Sequence, residues 1–218
     1  MRADRETIRL FQFRPRRGAF DTILRDVLIP DLARLPGVGE IFVGRHGPDE
    51  IGPRLVASIW DSHEAMAAVL GVSFDEETFH PELLLETTDR RLEVLPLSFI
   101  HRAEIGGPPT IMRLVSGRVR PDELEDYIAE AWAGTRDDAA AGLGPTALYL
   151  AACRPDSFRT LSLWPDWETL EVATGGDIDR PIATRHAQRL VAWSATHFEV
   201  VPDLVVASRE VGLESVSP

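Results

Sequence analysis

The sequence predicts an α+β fold: tandem ferredoxin-like units, each β-α-β-β-α-β, that close their open sheet faces on one another. Three observations carry this expectation. A stretch Ser58-Ile59-Trp60-Asp61-Ser62-His63-Glu64-Ala65-Met66 returns 104 positions later as Ser162-Leu163-Trp164-Pro165-Asp166-Trp167-Glu168-Thr169-Leu170. Each copy reads as a strand end, a tryptophan, a cap and a first helical turn, and self-similarity at a fixed spacing marks duplication. A second pair of segments matches as well: Arg91-Leu92-Glu93-Val94-Leu95-Pro96 against His197-Phe198-Glu199-Val200-Val201-Pro202. Between the copies, Gly106-Gly107-Pro108-Pro109 has the composition of a linker. The units are therefore placed at 1–98 and 110–203, with a linker at 99–109 and a C-terminal tail at 204–218.

In the first unit, Thr7–Phe13 alternates and is rich in β-formers, so it reads as a strand. Ala19–Leu35 carries Phe20, Ile23, Leu24, Val27, Leu28, Leu32 and Leu35 at helical spacing, with Pro30 expected to kink it and Pro36-Gly37 to end it. Gly39–Arg45 and Arg54–Trp60 are strands joined by a Gly- and Pro-rich turn. Asp61 or Ser62 caps a helix over His63–Leu70, Glu76–Thr88 has room for a further helical turn or two, and Arg91–Leu97 is the last strand. In the second unit, Thr110–Arg118 is a strand, and Pro121-Asp122-Glu123 opens a helix that runs to about Ala141. Ala147–Cys153 and Phe158–Trp164 are strands, Pro165-Asp166 starts a helix, Ile182–Ala192 reads as helical, and Thr196–Val201 closes the unit. In the tail, apolar Leu204–Ala207 is expected to dock on the body.

The 218 residues with 44% hydrophobic content can bury a substantial core. A net charge of −12 argues against nucleic acid, whose phosphates require a basic surface. All 23 basic residues are arginine, which points to codon usage rather than chemistry. Cys153 stands alone, so neither an internal disulfide nor a cysteine-held metal is expected, and a reducing cytoplasm is the simplest compartment. No run approaches a membrane span.

The fold resembles the dimeric α/β-barrel superfamily, and within it the antibiotic-biosynthesis-monooxygenase-like group. The resemblance rests on the bend Leu35-Pro36-Gly37-Val38, the helix start Trp60-x-Ser62-x-Glu64-Ala65-Met66 and the pair Phe79-His80. Many members are homodimers of chains about half this length, so this chain looks like a fused pair, forming an intramolecular barrel. A homodimer of the fused chain is a further assembly to test. The group includes oxygenases of polyketides that use no cofactor, haem-degrading enzymes, and proteins without known activity.

Strand alternation sorts the residues by face. Ile8, Leu10, Leu55, Ala57, Ile59, Leu92 and Val94 form an apolar set expected to face the helices. The opposite face, expected to line the barrel interior, carries Arg9, Ser58, Trp60 and Glu93 in the first unit and Arg113, Ser162, Trp164 and Glu199 in the second. In ferredoxin-like strand order Arg9 would meet Glu93, and Arg113 would meet Glu199, either as self-neutralising buried ion pairs or as a site. In the functional alternative Trp60 or Trp164 stacks on a substrate while Arg9 or Arg113 stabilises its negative charge.

His80 and His186 lie 20 and 22 residues after Trp60 and Trp164. In haem-degrading members an axial histidine follows the equivalent tryptophan at a similar interval, so the resemblance makes either a haem ligand or a general base. Those members also carry a second tryptophan and a first-strand asparagine; here Val69, Leu70, Ala173 or Thr174 and Gln12 or Ser116 occupy those places. His63 is expected on the surface, His46 in a turn and His101 in the linker. Tyr127 and Tyr149 could supply a phenol, and Cys153 lacks a neighbour to activate it.

What the resemblance implies is an oxygenase of a small aromatic or polyketide-like molecule, with no cofactor and no metal. The second unit is favoured by its greater number of tryptophans. A haem protein with His186 or His80 as axial ligand and a non-catalytic ligand-binding barrel are the alternatives.

Overall fold

The computed structural model describes residues 6–18, 20–70, 86–103, 107–182 and 188–206. Nine antiparallel strands form one sheet, with helices on its outer side. The strands are β1 (Thr7–Pro15), β2 (Val38–Arg45), β3 (Arg54–Trp60), β4 (Thr87–Pro96), β5 (Phe99–Arg102), β6 (Ile111–Val119), β7 (Ala147–Arg154), β8 (Ser157–Trp164) and β9 (Leu190–Val200). Their order is β4-β1-β3-β2-β9-β6-β8-β7-β5. The first four and the next four follow the same order when each group is counted from its own first strand. The halves join where β2 pairs with β9 through Gly44 and Arg45.

The two ends of this order are consecutive in the chain. Leu97 N–H donates to Glu6 O at 2.9 Å on one side, and Ser98 N–H donates to Leu150 O at 2.7 Å on the other. The strand therefore passes from β1 to β7 within two residues, and the sheet returns on itself. β5 occupies 99–102, inside the stretch expected to be linker. The tail docks as expected: Leu204 is buried and Val206 N–H donates to Ile41 O at 2.9 Å.

The first helical segment comprises α1 (Phe20–Ile23), a π-helical turn at Leu24–Leu28, and α2 (Ile29–Arg34). Pro30 has no N–H to donate back up the helix. The chain absorbs that loss in the wider turn just ahead and places Pro30 in the first turn of α2. α3 (His63–Leu70) is capped by Ser62, whose Oγ accepts from Ala65 N–H at 3.0 Å. α4 (Leu124–Ala140) is the longest helix, and α5 (Trp167–Thr174) is capped by Asp166, which accepts from Thr169 N–H at 2.7 Å. The expected helix over Ile182–Ala192 gives way at Leu190 to β9; residues 183–187 lie outside the described residues. Most of the expected helical turns at Glu76–Thr88 also lie outside them, and Thr87 begins β4.

On β1, β3 and the sorted strands of the second half the two sheet faces are the reverse of those expected; on β4 they are as expected, with Leu92 and Val94 towards the helices and Glu93 inward. Ile8, Leu10, Leu55, Ala57 and Ile59 pack with Met112, Leu114, Leu161, Leu163 and Phe198 in one cluster shared by both halves. That cluster is the barrel interior. Phe13, Val56 and Trp60 pack instead against Phe20, Leu24, Leu28, Leu32 and Met66 of the helices. The inversion has a simple cause. β3 is buried at every residue, so apolar content cannot tell one of its faces from the other.

Candidate functional site

The repeated Ser-x-Trp motif forms the same structure twice. Residues i and i+2 share a strand face, so each indole lies beside its own serine. Trp60 Nε1 donates to Ser58 Oγ at 3.0 Å, and Trp164 Nε1 donates to Ser162 Oγ at 2.9 Å. Both tryptophans are fully buried. Their single polar atom is satisfied within the strand, which suits a wedge between sheet and helix.

The expected arginine–glutamate pairs do not form. Leu10 opposes Glu93 and Arg9 opposes Val94, so Glu93 faces the interior while Arg9 faces the helices. Glu93 pairs with Arg159 at 2.8 Å and Arg91 at 2.6 Å, and Arg9 lies over the Phe11 ring. In the second half Arg113 opposes His197, and Glu199 pairs with Arg45 at 3.7 Å. The interior is further closed by Glu40, which receives Arg102 at 2.8 Å and the Tyr149 hydroxyl at 2.7 Å.

The space lies on the outer face, between α4 and the sheet of the second half. A cavity of about 60 Å³ is floored by Arg113, Val115, Thr160 and Ser162 and roofed by Tyr127, Ala131 and Thr135. The first half carries bulk at two of the equivalent strand positions, Phe11 for Val115 and Phe13 for Gly117, and the near-isosteric Val56 stands for Thr160. Phe11, Phe13 and Phe20 pack ring on ring at 4.9 and 5.2 Å. In the second half, Gly117 permits Phe158 to lie flat against the strand, since a Cβ there would sit 2.2 Å from the ring; Phe158 then stacks on Tyr127 at 4.5 Å.

Arg113 is 2% exposed, and its Nη2 donates to the carbonyls of Ile178, at 3.2 Å, and Arg180. Burial lowers this guanidinium to about 10, against the opposing pull of Asp179 and Tyr127. Burial also raises the Tyr127 phenol, so it is a proton donor at neutral pH. Among the described residues, Arg113 Nε and His197 Nε2 are buried without a hydrogen-bond partner. Such groups are costly unless something pairs with them. His197 also has Asp179 3.8 Å from its Nδ1 and the Trp167 ring at 5.7 Å.

His197 is the residue that sequence reasoning passed over. Alignment with Arg91 made it an ordinary strand position, and the partner expected for Arg113 was Glu199, two residues on. Of the expected residues, Arg113 and Ser162 meet at the cavity, Trp164 packs behind it, and Arg9, Ser58, Trp60, Glu93 and Glu199 lie elsewhere. His80 and His186 lie outside the described residues. His63 is exposed, as expected, and His46, expected in a turn, is exposed just after β2.

Burial, then Arg113, lower the His197 imidazole below its ordinary 6.5, and burial lowers His101 as well. The unfolded chain therefore binds more protons below that value. The stability these neutral rings contribute is complete above about pH 6.5 and is lost as the pH falls towards the folded values. Urea midpoints should fall between about pH 7.5 and 5.5, and His197→Gln should flatten that slope. An unchanged slope would remove His197 from the account.

No sequence profile of a known family matches the chain, and no curated protein does. Solved structures do. A provisionally named monooxygenase of Lactobacillus acidophilus NCFM superposes with a TM-score of 0.71 at 11% identity, over 94% of this chain and 97% of its own. A chlorite dismutase of Candidatus Nitrospira defluvii gives 0.59 at 8%, over 92% and 93%. An anthrone oxidase-like protein gives 0.57 at 15%, over 91% and 92%. These proteins belong to the dimeric α/β-barrel superfamily, and at such identities the likeness is one of fold. This chain has that fold. No helix among the described residues is long and apolar enough to cross a membrane.

Proposed function

We propose that the chain is a fused pair of ferredoxin-like units that oxidises a small aromatic or polyketide-like molecule with O₂ at the second unit's sheet–helix cavity. The observation that carries this reading is Arg113: a buried cation at a partly open cavity, with Nε unpaired among the described residues. The fold shared with a provisionally named monooxygenase and an anthrone oxidase-like protein supports it. In this reading Arg113 Nε–H holds the oxygen of an enolised or phenolic substrate as negative charge develops on it. The reduced substrate supplies electrons to O₂, so no cofactor is required. A cavity of about 60 Å³ is small beside typical ligand pockets of roughly 300–1,000 Å³. Substrate binding must therefore widen it. Oxygen uptake with a panel of anthrones and quinols should show turnover that Arg113→Leu removes. No uptake across the panel would overturn the reading.

The shared fold of a chlorite dismutase supports a second reading, a haem protein. The described residues do not fit haem: no imidazole lines the cavity, and its volume is far below that of a porphyrin. The candidate ligands His186 and His80 fall outside those residues. In this reading, haem added to the purified chain should shift the Soret band, and His186→Ala or His80→Ala should abolish the shift. An unshifted band removes the reading. Loss of both readings leaves a non-catalytic ligand-binding barrel.

A further inference from the structure

One mouth of the barrel gathers four guanidinium groups around an open basin. Arg91 of β4, Arg118 of β6, Arg154 of β7 and Arg159 of β8 line a cavity of about 740 Å³, with Glu93 and Asp156 as the carboxylates there. Glu93 fixes Arg91 and Arg159, at 2.6 and 2.8 Å, and Asp156 fixes Arg118 at 2.8 Å. Arg154 is exposed, with no ion-pair partner among the described residues. The local balance is thus two positive charges in excess, in a chain whose net charge is −12. A protein this acidic repels small anions over most of its surface, and a concave cationic patch focuses field and concentrates them locally. Three of the four guanidinium forks, those of Arg91, Arg118 and Arg159, are already oriented by the two carboxylates. Less order is therefore lost when they bind an oxyanion, and planar forks match carboxylate and phosphate oxygens in pairs.

We propose that this basin binds a compact dianion, a phosphate monoester or a small dicarboxylate, matching its excess of two charges. Arg118 lies on the opposite strand face from Arg113, so the basin is distinct from the cavity under α4 and its test is independent of that reading.

Cys153, the chain's single cysteine, also lines the basin and is half-buried, so it reports on occupancy in the full-length protein. Burial raises its thiol, so alkylation by iodoacetamide is followed at about pH 9. Inorganic phosphate and succinate, the two probes, should slow alkylation saturably, and the one with the lower half-saturating concentration identifies the ligand chemistry. Sodium chloride at matched ionic strength should not protect. Arg118→Ser and Arg154→Ser, both exposed and expected to leave the melting curve unchanged, should each raise the half-saturating concentration roughly ten-fold. Titration calorimetry with the same two salts reads binding directly. No saturable heat from either salt, protection matched by chloride, or protection unchanged in both variants would overturn the proposal.

Discussion

Trp164→Ala should destabilise the protein by about 3–5 kcal/mol, the range for emptying a fully buried aromatic site. Trp164 is fully buried and packs against Ile111 and Leu170, with Ala173 at the edge of the cluster. Trp60→Ala should cost a similar amount, because Trp60 holds Met66 and the first helical segment to the sheet in the same way. The serine partners separate the packing from the polar contribution. Ser162→Ala strands the indole N–H in an apolar setting and should cost about 1–3 kcal/mol. In a Trp164→Phe background, which has no N–H to strand, the same change should cost much less. Urea unfolding of the four variants in that cycle measures the coupling. A loss below about 1 kcal/mol for Trp164→Ala would mean that the ring is not the wedge described.

The second large effect falls on chemistry. Arg113→Leu should reduce oxygen-dependent turnover on the order of 10²–10³-fold, the usual effect of removing a preorganised donor from a developing oxyanion. Arg113→Lys should recover little, since one ammonium cannot hold the Ile178 and Arg180 carbonyls while keeping a donor on the cavity side. Arg9→Leu is the control. It occupies the equivalent strand position, but Phe11 and Phe13 fill the space that Val115 and Gly117 leave open in the second half. It should leave turnover unchanged. The opposite outcome, with activity lost at Arg9 and kept at Arg113, would move the site to the first half.

Most of the element order was legible in the sequence because the tryptophan–cap–helix stretch recurs; β5, inside the expected linker, and the start of β9 at Leu190 were not. The parity of the faces was legible within each half for β1, β3, β6 and β8: Arg9, Ser58 and Trp60 do share a face, as do Arg113, Ser162 and Trp164, whereas Glu93 of β4 lies on the face opposite Arg9. Which face points inward was not. Both sides of β3 are buried, so polarity carries no sign, and Ser58 is hidden among apolar residues because it serves the Trp60 indole. Arginine–glutamate pairing failed for another reason: register depends on the hydrogen-bonded alignment of distant strands. Leu10 rather than Arg9 aligns with Glu93, and His197 rather than Glu199 aligns with Arg113. The relief of Pro30 by a π-helical turn left no trace in helical spacing, since the apolar positions continue in phase across it.

The handover at Leu97 and Ser98 bears on how the polypeptide can be divided. Since one continuous strand serves β1 and then β7, and β9 with the tail serves β6 and then β2, each half completes the hydrogen-bonding of the other. Severing the backbone within 104–109 should yield two fragments that recognise each other rather than two self-sufficient modules. Neither fragment alone could cover the shared apolar cluster or its exposed strand edges, which are standing invitations to aggregate. Chain continuity thus makes permanent a contact that separate copies would have to find by diffusion. It also leaves one outer face free to fill with phenylalanine while the other keeps a hollow.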